Sequence, residues 1–233
     1  MSRHTILTMI CLLAGAGTVS AQPAATETPP PQAAPDAAAA PSHPAAMEQP
    51  EPGDHWTYEV QDEILGTLKA TRTSVVTEVT AKEISTRYTF LGNTNTGSAI
   101  FDRSWNVTNR AGWRYTPHDG TGIRLPLAVG KTWTFKSNDV NSNNGASWNR
   151  SGSSKVVGQE SVTTKAGTFD TFKIESSYST RNAANPTRVT QVTFQTWYAP
   201  SIDHWVKRSF STRVEGRLMQ NDTDTLVEYG RKP

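Results

Sequence analysis

TQVTFQTWYAPSIDHWVKRSFSTR, residues 190–213, is the stretch that decides the fold. Two runs rich in β-branched and aromatic residues flank one interruption, Ala199-Pro200-Ser201-Ile202, which is the form of a β-hairpin. Side chains along a strand alternate between two faces, so Val192, Phe194 and Tyr198 share one face of the first strand. Val206 and Phe210 share one face of the second. Cross-strand partners lie on a common face, so the numbers of each pair must sum to an even value. A three-residue loop, Pro200 to Ile202, meets that condition and pairs Ala199 with Asp203 and Trp197 with Trp205. The opposite face then carries Thr193, Gln195, Lys207 and Ser209 around the two indoles, with Asp203 at its edge.

Outward from this hairpin the same period-two pattern continues, and no sustained helical periodicity interrupts it. Residues 55–61 place Trp56, Tyr58 and Val60 on one face, and strands follow over 67–80 and 83–91. A Gly/Asn/Thr loop at 92–97 leads to residues 98–107, with Phe101, Trp105 and Val107 together, and then to Trp113 and Tyr115. The chain then begins again. Residues 130–135, GKTWTF, have the form of 53–58, GDHWTY, and Ser154-Lys155-Val156-Val157 parallels Ser74-Val75-Val76. In this reading residues 172–178 correspond to 83–88, and the hairpin of 190–213 to residues 98–115, a duplication with a period near eighty. About a dozen short strands with turn signals every eight to twelve residues give an all-β fold. They form an antiparallel meander arranged as a curved sheet, a sandwich or a barrel.

The two ends of the chain differ sharply in composition. Residues 1–21 have a charged start at Arg3, an apolar stretch from Ile6 to Ala14 and the small-residue site Val19-Ser20-Ala21, the pattern of a cleaved export signal. The apolar run is too short for a transmembrane anchor, so no transmembrane segment is expected after cleavage. Cys11, the one cysteine, lies in this signal, and Thr8-Met9-Ile10 before it is not a lipoprotein cleavage box. The mature chain would therefore have no disulfide and no thiolate chemistry. Residues 22–52 hold nine prolines and ten alanines among 31 residues and no Lys or Arg, the composition of a disordered linker. Residues 53–233 form the all-β domain, with 22 basic and 17 acidic side chains and a charge near +5. That charge favours anionic surroundings such as an envelope glycan or lipid. Lys and Arg are scattered rather than clustered, so nucleic acid is not expected as a partner.

Leu125-Pro126-Leu127 with Val129-Gly130 and Trp133 make the first part of a recognisable set. Ala166-Gly167-Thr168-Phe169 with Phe172 and Ile174 follow, and Trp197-Tyr198-Ala199-Pro200 with Val206-Lys207-Arg208 complete it. Together they resemble a domain-of-unknown-function family of exported bacterial β proteins, over residues 125–208. The resemblance implies a periplasmic or envelope-associated β domain. It transfers no activity, cofactor or catalytic residue.

Four functional readings arise from the residues. Trp56, Trp105, Trp113 and Trp133 keep step with apolar neighbours and read as core, while Trp148, between polar residues, fits either core or surface. Trp197 and Trp205 fall out of step. They form either a stabilising cross-strand pair or a flat platform, edged by Gln195, Lys207 and Asp203, on which a glycan or amphiphile stacks. A third reading is a carrier enclosing a lipid or other hydrophobic ligand in an internal cavity. The fourth is a hydrolase using the loop His118-Asp119-Gly120-Thr121-Gly122. Against it, GxSxG is absent, and His55, His118 and His204 stand in no metal-binding spacing. No cofactor motif is present, so the expectation is a non-catalytic binding or structural module without metal or cofactor.

Overall fold

The computed structural model describes residues 47–231. The export-signal reading, and the linker reading up to residue 46, lie outside the described residues. Twelve antiparallel strands follow one another around a closed barrel, each hydrogen-bonded to the next, and β12 returns to β1. They are β1 (His55–Asp62), β2 (Thr67–Val79), β3 (Glu83–Phe90), β4 (Thr96–Asp102), β5 (Val107–Arg110) and β6 (Trp113–Thr116). The second six are β7 (Thr132–Asn141), β8 (Ser147–Thr164), β9 (Gly167–Asn182), β10 (Val189–Ala199), β11 (His204–Val214) and β12 (Arg217–Gly230). Of the three arrangements open from sequence, the closed barrel is the one adopted. Closure gives every strand a neighbour on both sides along the barrel wall, and only the projecting end of the β8–β9 hairpin is paired on one side.

The duplication is visible in the backbone. Gly53 donates to Val76 O and Val76 to Asp54 O; Gly130 donates to Val156 O and Val156 to Lys131 O. Both glycines hold positive φ, 99° and 89°. The β2–β3 ladder shifts register between Val76 and Glu78, and the β8–β9 ladder between Val156 and Gly158. The β4–β5 and β10–β11 ladders carry matching bulges, and two-residue turns, Ala111-Gly112 and Glu215-Gly216, lead from β5 to β6 and from β11 to β12 with φ near 50° and 80°. The barrel is therefore one six-strand unit built twice, with longer strands in the second copy. The pairing of 53–58 with 130–135 and of Val76 with Val156 holds, whereas the counterpart of 190–213 is β4–β5 and ends at Arg110, because β6 corresponds to β12.

Alternation decides what faces inward. On β7 the buried positions are Trp133, Phe135, Ser137 and Asp139, and each residue between them is exposed. On the outside, Ser153, Ser177 and Thr193 stand in a cross-strand row and are exposed. A barrel that crossed a bilayer would carry an apolar outer band at this position. This row is polar.

Two packed clusters fill parts of the interior. One gathers Ile123, Trp133, Phe135, Val156, Ile174 and Tyr198. The other centres on Trp56, Tyr58, Trp105, Trp205 and Leu226, and also takes in Met47, which is 1% exposed. Met47 donates its N–H to Ser201 O at 2.9 Å. Residues 47–52, assigned to the linker from their composition, therefore belong to the folded unit. One methionine with a buried site outweighs the prolines around it.

Candidate functional site

The hairpin of 190–213 forms as expected, but its last pairs do not. Thr196 pairs with Arg208 and Trp197 with Lys207; the register then slips, so Tyr198 pairs with Trp205 and Ala199 with His204. Val206 is the extra residue of a bulge. The connection is one turn of 3-10 helix, Pro200–Ile202, closed by Asp203 in the left-handed region at φ 43°. This is one residue longer than the three-residue loop that even sums required. Face parity therefore holds for Val192, Phe194 and Phe210 and breaks at Val206, where Trp205 takes the inward place.

The slip separates the two indoles of the expected platform. Trp197 faces outward, paired with Lys207 and Lys173, whose ammonium groups lie 5.0 and 4.9 Å from its ring centre. Its N–H donates to Glu160. It clusters with Phe169, Val162 and Ala166 of the β8–β9 hairpin, whose tip reaches β1 through Lys165 and Glu59 at 2.7 Å. That hairpin arm buries the indole to 7% exposure, so no flat face remains for a sugar. Gln195 donates to Glu175 at 2.9 Å on the outer face. Asp203 accepts from Tyr198 Oη at 2.6 Å and from Trp105 Nε1 at 3.2 Å.

Trp205 turns into the barrel and joins an aromatic cage around His204. The imidazole lies between Trp56, stacked at 4.2 Å, and Trp205, at 3.7 Å, with Trp105 edge-on at 4.7 Å. Tyr58 Oη donates to Trp205 O at 2.7 Å and lies 2.6 Å from His204 Nδ1. A phenol has one proton. With that proton committed to the carbonyl, Nδ1 carries the imidazole hydrogen and donates it to Tyr58. Burial, with the Arg208 guanidinium next, holds the imidazole well below its usual range.

A measurable consequence follows for stability. An unfolded histidine titrates near pH 6.5, whereas His204 stays neutral in the fold. Its contribution is complete above about pH 6.5 and declines as the pH falls, because only the unfolded chain then takes up the proton. The expected loss is roughly 1.4 kcal/mol per pH unit until the folded group also titrates. Urea midpoints between pH 7 and 5 should fall for the wild type and fall less for His204→Gln. Equal slopes in the two proteins would contradict the cage.

Beyond the cage the interior is open. A cavity of about 410 Å³ is lined by the inward faces of both halves of the barrel. Val60, Phe101, Val192, Phe194 and Phe210 supply apolar wall. Lys69 and Arg110, both exposed, stand at its outer end, and Trp205, 7% exposed, at its inner end. The charged groups are mostly matched. Arg72 meets Asp224 at 2.7 Å and Lys69 meets Asp222 at 2.8 Å. Asp119 accepts from the Val107 and Thr121 N–H groups and from the Thr121 hydroxyl, so it fixes its own loop. The repeat sets Arg110 and Arg208 at equivalent places, opposite Ala99 and Thr196.

The loop proposed for hydrolysis has a structural use for its histidine. His118 Nδ1 accepts the Gly120 N–H at 3.1 Å, and no serine or threonine hydroxyl is hydrogen-bonded to it among the described residues. Among the same residues no three His, Cys, Asp or Glu side chains converge as a metal site. Trp56, Trp105 and Trp133 are buried as expected. Trp113 is only half-buried, at the end of short β6, where it borders a second pocket of about 260 Å³ with Trp148, Tyr115 and Arg150.

A model of the DUF3108-like family matches residues 129–210, the stretch that carried the resemblance to a domain of unknown function. Among solved structures, a candidate lipoprotein of Parabacteroides distasonis superposes with a TM-score of 0.55 at 15% identity, covering 79% of this chain and 99% of that one. A candidate exported protein with a YmcC-like fold from Bacteroides fragilis gives 0.49 at 17% identity, over 80% and 100%. The hypothetical lipoprotein YmcC of Escherichia coli gives 0.46 at 11%, over 80% and 87%. At 15% identity the likeness to the Parabacteroides distasonis protein is one of fold. No curated protein matches the chain.

Proposed function

We propose that this chain, matched by the DUF3108-like model over residues 129–210, from β7 into β11, is an exported, non-catalytic binding protein of the cell envelope. Its barrel would hold one small amphiphile. The observation that carries the reading is the cavity of about 410 Å³, within the roughly 300–1,000 Å³ range of small-molecule sites. It has the volume of about fourteen waters at the roughly 30 Å³ each takes in the liquid, so a ligand of about ten heavy atoms fits with room to move. Aromatic side chains and ion pairs share the lining, which suits a molecule with an apolar body and one polar end. Twelve strands make such a space easy to keep open, since about eight already suffice to hold a ligand. The export-signal pattern of residues 1–21 and the family resemblance support an envelope location.

The test is native mass spectrometry of the exported protein, purified without detergent. A stoichiometric adduct of one small amphiphile is expected, or its appearance after incubation with decanoate and decanol. A bare mass under all these conditions would overturn the reading.

A further inference from the structure

We propose that the ligand's polar end is an acid, a carboxylate held at the inner end of the cavity by Arg208. This rests on the cavity reading and goes beyond it by fixing the chemical class and the direction of entry. Each carboxylate that lines the cavity already has a cation or a set of donors, whereas Arg208 has no carboxylate within ion-pair distance among the described residues. Its Nε donates to Thr196 Oγ1 at 3.0 Å and its Nη2 to Thr121 O at 3.4 Å. Both are neutral acceptors, and among the described residues Nη1 makes no hydrogen bond. The guanidinium lies 3.8 Å from the Trp205 ring centre, so the two groups share one wall. Part of Arg208 stays uncovered although protein surrounds it, which means that its free surface faces the cavity.

Trp205 Nε1 and Arg72 Nε are buried without a partner, but both atoms are covered by protein, so Arg208 is the donor group that faces the cavity. The lining carries four cationic and three anionic side chains, a net single positive charge. One acceptor, Asp222 Oδ1, is also unpartnered, but its carboxylate is neutralised by Lys69 and bonded by Gln220. An anion with two acceptor oxygens therefore fits the inner end better than an ammonium or a hydroxyl. The aromatic residues nearer the outer end would then receive the apolar tail.

Displacement of a polarity-sensitive dye by decanoate and by decanol, equal in chain length, tests the assignment. Decanoate should bind at least tenfold more tightly to the wild type. Arg208→Met, which keeps an apolar stem over Trp205, should remove that preference and leave decanol binding unchanged. Arg208→Lys keeps the charge, loses the two-pronged donor, and should weaken decanoate alone by several fold, so the test survives if the methionine variant fails to fold. Equal binding of acid and alcohol by the wild type would overturn the acid assignment while leaving the amphiphile reading intact. Binding of neither would overturn both.

Discussion

Replacing Trp56 by alanine is expected to cost the fold about 3–5 kcal/mol, the range for truncating a large buried aromatic. Trp56 is 1% exposed and its ring touches two others: His204 across a near-parallel stack and Trp105 edge-on at 5.6 Å. Alanine would leave a void in the middle of that group. It would also free His204 from one of the faces that shield it, so the pH dependence of stability should weaken in the same variant. The indole N–H of Trp56 has no partner, so Trp56→Phe loses no hydrogen bond and should cost under about 1.5 kcal/mol. For a domain of this size the alanine variant should melt roughly 6–20 °C lower. Differential scanning calorimetry of the three proteins checks this. An alanine variant within about 1 kcal/mol of the wild type would show that the cage is not structural.

The architecture was legible because one rule, alternation at period two, runs through nearly the whole chain. It identified the strands and the inward places of Trp56, Tyr58, Phe194 and Phe210. The repeat was legible too, because Gly53 and Gly130 each begin a Gly-x-x-Trp-Thr-aromatic stretch. The site was not, for two physical reasons. A bulge leaves no mark in composition, and the one at Val206 moved Trp205 from the outer face to the inner one. The burial of Trp197 depends on the β8–β9 arm folding over it, a contact between residues 37 apart at Glu160 that no local pattern announces. The cavity itself was only an alternative, since sequence does not say how far a wide barrel's inward side chains fill it. Asp222 and Asp224 gave the available hint. Two acids at alternate positions of one strand, aligned with inward apolar residues, mark a barrel whose interior is partly polar.

Filling the cavity should separate binding from folding. Ala70 lies on β2, half-buried, with its side chain on the cavity wall. Phenylalanine there would occupy space the ligand needs. In a closely packed interior such an insertion costs about 1–3 kcal/mol through strain. In an open one it meets few atoms, and the added apolar burial offsets the rest. Ala70→Phe, followed by both its melting temperature and its one-to-one binding of decanoate, is the most direct measurement. An open barrel predicts a melting temperature near that of the wild type and at least a tenfold loss of binding. A variant that melts well below the wild type, or that still binds decanoate at full strength, would contradict an interior held open for a ligand.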